Sequence, residues 1–177
     1  MIMFARISTT IVAKASEVIL KWPSEGRKST AKASIKFSTD GAQEIEILGT
    51  PFIVDATGSI RRTGTNEPLL RPQENLKPFL SHTKFSHQFQ ERLRCEYSGK
   101  IENYLPEFGG RFKQICVQDG RDCIAFLVPN QIPEEEGEVV EGNWLLSEDM
   151  YSLGEDEQAH VLAYIIGDFL SRRRRMN

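Results

Sequence analysis

The chain is poor in cysteine and histidine and has no long apolar run, and each shortage closes a class of explanation. Three cysteines among 177 residues are an odd number in a chain large enough to bury its own core. They do not make a disulfide scaffold, and they point to a reducing compartment. The longest apolar stretch, Val161 to Ile166, is six residues long, far below the roughly 18 needed to cross a bilayer as a helix. The opening residues lack the basic, apolar and small-residue order of a secretory leader, so a cytoplasmic location is expected. The three histidines and three cysteines include no His-x-x-x-His or Cys-x-x-Cys pair. Gly-x-Ser-x-Gly, Gly-x-Gly-x-x-Gly and Gly-x-x-x-x-Gly-Lys are absent too, which removes the nucleophile elbow, the dinucleotide loop and the phosphate loop. No catalytic residue, metal site or cofactor is assigned on this reading.

What remains is ordinary globular composition: 40% hydrophobic, 27% charged, 13 Gly and 8 Pro. Collagen-like, coiled-coil and wholly disordered chains are excluded by it. One domain over 1–177 is expected, with the natural seam between a β-rich basic part (1–65) and an α+β acidic part (73–177). The net charge of −3 conceals an imbalance, because residues 1–100 hold 15 Lys and Arg against 10 Asp and Glu, whereas residues 101–171 hold 3 against 15. Arg172 to Arg175 restore positive charge at the end. A sign change between halves points to an anionic partner for one of them, or to head-to-tail contact between copies.

The first 65 residues have strand character. Ala31 to Ser38 alternates apolar and polar residues, and so does Glu44 to Ile47, the period-two signature of half-buried strands. Pairing these two around a three-residue Thr39-Asp40-Gly41 loop sets Ile35 against Ile45 and Ala33 against Ile47, whereas a two-residue loop puts carboxylates on the apolar face. Phe4 to Lys14 and Glu17 to Trp22 are further strands, broken by Pro23 to Gly26. Pro51 to Val54 and Ser59 to Arg62 flank Ala56-Thr57-Gly58. Thr63 to Gln73, with Gly64, Pro68 and Pro72, is the best linker or long loop in the chain.

Farther on the period changes. Phe85, Phe89 and Leu93 recur every four residues behind caps at Ser81 and Thr83, which predicts a helix over 83–97. Arg111 to Val128 reads as a hairpin around Asp119-Gly120, Pro129 to Glu136 as an acidic loop, and Glu138 to Leu146 as a strand. Ser152 to Glu155 has the form of a capping box opening a helix over 153–173, with Glu155, Asp156 and Glu157 at its positive end. The expected class is therefore α+β: a β-rich small barrel or sandwich of about 7–9 short strands, with one mid-chain and one C-terminal helix.

Candidate sites follow from these placements. On the predicted mid-chain helix His87, Glu91 and Cys95 share one strip, opposite Phe85, Phe89 and Leu93. The ligand types suit zinc, but four ligands and a tight pair are wanted, and an exposed polar face explains the strip. A two-residue Asp119-Gly120 loop sets Cys116 opposite Cys123, and a three-residue loop sets Cys123 opposite Ile115. In either register the thiols are expected to be buried and inert. His160 and Asp156 read as an exposed charge pair one helical turn apart. Glu134 to Glu136 reads as solvated loop.

The basic residues carry the best functional signal. Arg27, Lys28, Lys32, Lys36, Arg61, Arg62, Lys84, Arg92 and Arg94, interleaved with Phe85, Phe89 and Tyr97, have the composition of a nucleic-acid or other anion-binding surface. Arg172, Arg173, Arg174 and Arg175 are assigned to a partner surface. The expected function is a non-catalytic binding or accessory module within a larger assembly, in contact with nucleic acid through the basic face of the N-terminal half. One alternative is a regulatory or inhibitor-like protein whose acidic segment 119–157 engages a basic partner. The other is a small hydrolase or transferase using His82 or His87.

Overall fold

Segments rich in Ile, Val and Thr open the chain as strands, because branched side chains fit a pleated surface. The structure, a computed structural model, describes residues 7–12, 15–23, 30–38, 41–55, 57–70, 86–98, 112–118, 123–129 and 142–176. Strands β1 (Ile7–Val12), β2 (Ala15–Pro23) and β3 (Thr30–Ser38) form an antiparallel sheet in that order. A second sheet holds β4 (Gln43–Ile47), β5 (Thr50–Val54) and β6 (Ile60–Arg62), again in chain order.

The expected hairpin between 31–38 and 44–47 does not form: β3 pairs with β2, and β4 pairs with β5. The decisive turn is Leu48-Gly49, where φ is 48° and 81°. Two successive left-handed residues give the tight primed hairpin whose twist matches its strands. It sets Ile45 against Phe52 and Ile47 against Thr50 and leaves Glu44 and Glu46 on the other face, exposed. The apolar face of β4 is matched, but by β5 and not by β3. Thr39 and Asp40 lie outside the described residues. The β5–β6 turn is held by Asp55, whose Oδ1 accepts from the Thr57 and Ser59 amides at 2.8 and 3.0 Å. Part of the expected Thr63–Gln73 linker packs instead: the Leu69 amide donates to the Ile60 carbonyl at 2.8 Å, and Leu69 and Leu70 are buried.

The third sheet has the order β11-β10-β9-β8-β7, all antiparallel. Its members are β7 (Ser86–Gln88), β8 (Leu93–Ser98), β9 (Phe112–Val117), β10 (Cys123–Pro129) and β11 (Gly142–Leu146). The helix predicted over 83–97 is thus a β-hairpin. A recurrence of four is also twice the strand period, so Phe89 and Leu93 fit both templates. The alternation of buried His87, Leu93 and Cys95 with Gln88, Arg94 and Glu96 decides for strands. Between β9 and β10 the register sets Cys116 against Cys123, then shifts so that Ala125 faces Ile115. The extra residue, Ile124, is a bulge that lets Ile124 and Ala125 both enter the core.

A 3-10 helix (Glu148–Ser152), capped by the Ser147 hydroxyl, leads into α1 (Glu155–Met176). The N-cap falls two residues after the expected Ser152, and only the backbone half of a capping box forms. Gly154 is the cap, and its amide donates to Glu157 Oε1 at 3.2 Å. Val161, Leu162, Ala163, Tyr164, Ile165 and Ile166 are all fully buried. One core therefore joins Phe52, Val54 and Ile60 of the second sheet to Leu93, Ile115 and Leu127 of the third through α1. The class is α+β, as expected. The barrel is not: among the described residues no sheet closes on itself, and α1 packs on the apolar faces of the second and third sheets.

Candidate functional site

The register of the first sheet separates most of its lysines from its larger apolar residues. Because directly paired residues share a face and neighbours alternate, one face carries Ile7, Thr9, Ile11, Ser16, Val18, Leu20, Trp22, Ala31, Ala33, Ile35 and Phe37. The other mixes Glu17, Lys21, Lys32 and Lys36 with Ser8, Thr10, Thr30, Ser34 and Ser38 and with the apolar Val12, Ala15, Ile19 and Pro23. Lys21 pairs directly with Lys32, and Lys36 pairs with Glu17. Like charges at directly opposed ladder positions cost modest stability, which a bound anion offsets.

Lys21 escaped the reading of the sequence. Its role depends on which strand lies beside Thr30–Ser38, and with β4 assigned as that neighbour nothing marked Lys21. The remaining signal was its place in a polar position of Glu17 to Trp22, four residues from Glu17 and in phase with it.

Three further cations of the set, Arg62, Arg92 and Arg94, have partners within the chain. Arg92, in the β7–β8 turn, donates from Nε and Nη2 to Glu157 at 2.8 and 3.0 Å. That guanidinium, more than the neighbouring Gly154 amide, holds the Glu157 carboxyl below its ordinary range against the opposing effect of burial. Arg94 lies 3.2 Å from Glu96 and donates from Nε to Cys116 Sγ at 3.5 Å. Arg62 approaches Asp156 at 3.6 Å. Arg61 pairs with Ile53 across β5–β6, and its Nε is buried without a hydrogen-bond partner among the described residues. Arg172 to Arg175 fall in the last turns of α1. Arg27, Lys28 and Lys84 lie outside the described residues, as do His82 and Glu134 to Glu136.

No family model, curated protein or solved structure matches the chain. The site therefore rests on its own chemistry.

The remaining candidates are structural in their surroundings. His87 is buried opposite Cys95, while Glu91 sits exposed in the turn, so the four-spaced strip does not exist. No group of three His, Cys, Asp or Glu side chains able to hold a metal occurs among the described residues. His160, expected on the surface, is buried. Its Nδ1 lies 2.7 Å from the Asp156 carbonyl, which only accepts, so Nδ1 is the protonated nitrogen. The ring meets Phe52 edge-on at 5.3 Å. Cys116 and Cys123 are free thiols, and burial pushes both up, Cys123 to about 12.

The most enclosed charges were not singled out at all. Lys113 Nζ lies 2.8 Å from Asp168 Oδ1, with both side chains at 0% exposure, and Trp144 Nε1 donates to Asp168 Oδ2 at 2.9 Å. Lys113 also lies 5.0 Å from the centre of the Tyr164 ring. This cluster ties β9, β11 and α1 together. Both charges are fully enclosed, so the cluster is read as structural.

Proposed function

We propose that the chain is a non-catalytic binding or accessory module that docks a polyanionic partner, with the backbone of a nucleic acid as the ligand that fits best. The observation that carries the reading is the direct opposition of Lys21 and Lys32, with Lys36, opposite Glu17, on the same face as Ser34 and Ser38. Lysines neutralise phosphates and release counterions, and hydroxyls donate to phosphate oxygens without reading sequence. A nine-residue strand, Thr30–Ser38, spans about 30 Å at 3.3 Å per residue, long enough to follow several phosphates. Arg172 to Arg175, in the last turns of α1, are assigned to a protein partner in the same assembly.

The test is fluorescence anisotropy with labelled single-stranded and duplex oligonucleotides across a salt series. Binding is expected to be insensitive to sequence and to weaken linearly in log–log form. Each of Lys21→Gln, Lys32→Gln and Lys36→Gln should lower the salt slope by about 1. Absence of binding at low salt overturns the reading, and so does binding that the triple variant leaves unchanged.

A further inference from the structure

We propose that Cys116 and Cys123 are a thiol pair that closes to a cross-strand disulfide when the protein meets a small-molecule disulfide, converting the β9–β10 hairpin into a covalent loop. The two are direct partners in an antiparallel ladder. In such ladders opposed Cα atoms lie about 4.5 or 5.5 Å apart, both inside the roughly 4.4–6.8 Å range a disulfide spans. Direct partners share a sheet face, so both sulfurs start on the same side. Cys95 is excluded by the same register, because it lies opposite Ile115 and its side chain belongs to the core cluster on the other face.

The surroundings assign an order to the steps. Cys123 is partly accessible whereas Cys116 is buried, so Cys123 meets the oxidant. Its thiol gives up a proton to solvent, and the thiolate attacks one sulfur of R–S–S–R, breaking that bond. A mixed disulfide remains and R–S⁻ leaves. Cys116, whose sulfur accepts a hydrogen bond from Arg94 Nε, then loses its proton and attacks the Cys123 sulfur, expelling the second R–S⁻. Both leaving thiolates take up protons. Two protein thiols are oxidised and one small disulfide is reduced to two thiols, so atoms and electrons balance. Closure is slow, because burial disfavours both protein thiolates. It is also hard to reverse, because no stabilised thiolate favours the reduced form.

Incubation of the folded chain with excess oxidised glutathione at mildly alkaline pH, followed by alkylation in denaturant and intact-mass measurement, tests this. The expected product is lighter by two hydrogens and carries a single alkyl group on Cys95. Digestion should then yield the Cys116 and Cys123 peptides joined. The same treatment of unfolded chain should spread pairing over all three cysteines. Retention of three alkylatable thiols overturns the proposal, as does a glutathione adduct that never resolves. So does a bond to Cys95, or an identical pairing pattern from folded and unfolded protein.

Discussion

Lys113–Asp168 and Arg92–Glu157 both fasten α1 to the third sheet, the first with both side chains at 0% exposure and the second with its arginine at 55%. The chemistry is nearly the same and the distances are equal at 2.8 Å. What differs is the alternative open to each partner when the pair breaks. At the end of α1 a released guanidinium returns to water, so the pair adds little beyond what hydration offers. In the middle of α1 a released carboxylate keeps the Trp144 indole but stays out of water, and an enclosed charge without its counter-ion is expensive. Location, and not pairing, sets the worth of an ion pair here.

The largest expected effect breaks the inner pair. Lys113→Met leaves Asp168 ionised and enclosed, and should cost about 3–5 kcal/mol in denaturant unfolding. Asp168→Leu strands the ammonium similarly. The double variant Lys113→Met with Asp168→Leu removes both charges and should recover most of the loss. Should it remain as unstable as either single variant, the cost lies in packing, and the contrast with the outer pair fails.

That inner pair shows where sequence reading ends. Strands announced by alternation, such as Thr30–Ser38 and Gln43–Ile47, were visible. So was α1, whose acidic first turn and apolar centre are local signals. Pairing was not visible, because Ile35 suits Val18 and Ile45 equally well, and Leu48 gives no hint that it adopts the left-handed turn. The 83–97 segment failed because a spacing of four fits two periods. The candidate face was half legible: Lys32 and Lys36 follow from alternation within one strand, but Lys21 joins them only through the partner strand. Lys113 and Asp168, 55 positions apart, carry no mutual signal at all.

A smaller effect sharpens the comparison at the residue beside Asp168. A Cβ on Gly167 would sit 2.6 Å from both Ile60 Cγ2 and Leu70 Cδ1, too near for either to remain in place. Gly167→Ala should lose about 1–3 kcal/mol to overpacking and regain about 1 kcal/mol from helix propensity, for a net loss of about 0–2 kcal/mol. Pairing it with Leu70→Ala should relieve part of the strain, measurable as a cost below the sum of the two single variants. A fully additive result would mean that the middle of α1 yields easily, contrary to its behaviour as a rigid seat for buried charge.

The smallest effect belongs to the outer pair, and its pH dependence distinguishes it. Arg92→Ala removes the guanidinium but leaves the Gly154 amide bonded to Glu157. It should cost less than about 1 kcal/mol at low salt and less again at high salt. Glu157→Gln weakens both contacts and should cost somewhat more. Because the folded carboxyl titrates below its unfolded value, its contribution is present above the ordinary glutamate pKa of about 4.3 and disappears as pH falls through the lower folded value. The stability gap between wild type and Glu157→Gln should therefore hold steady near neutrality and shrink in acid. The gap between wild type and Lys113→Met should exceed it several-fold near neutrality. A Glu157→Gln gap that stays constant into acid would show that the cap bond acts alone, with Arg92 adding nothing. An equal cost for the inner and outer variants at neutral pH would remove the distinction that burial is held to make.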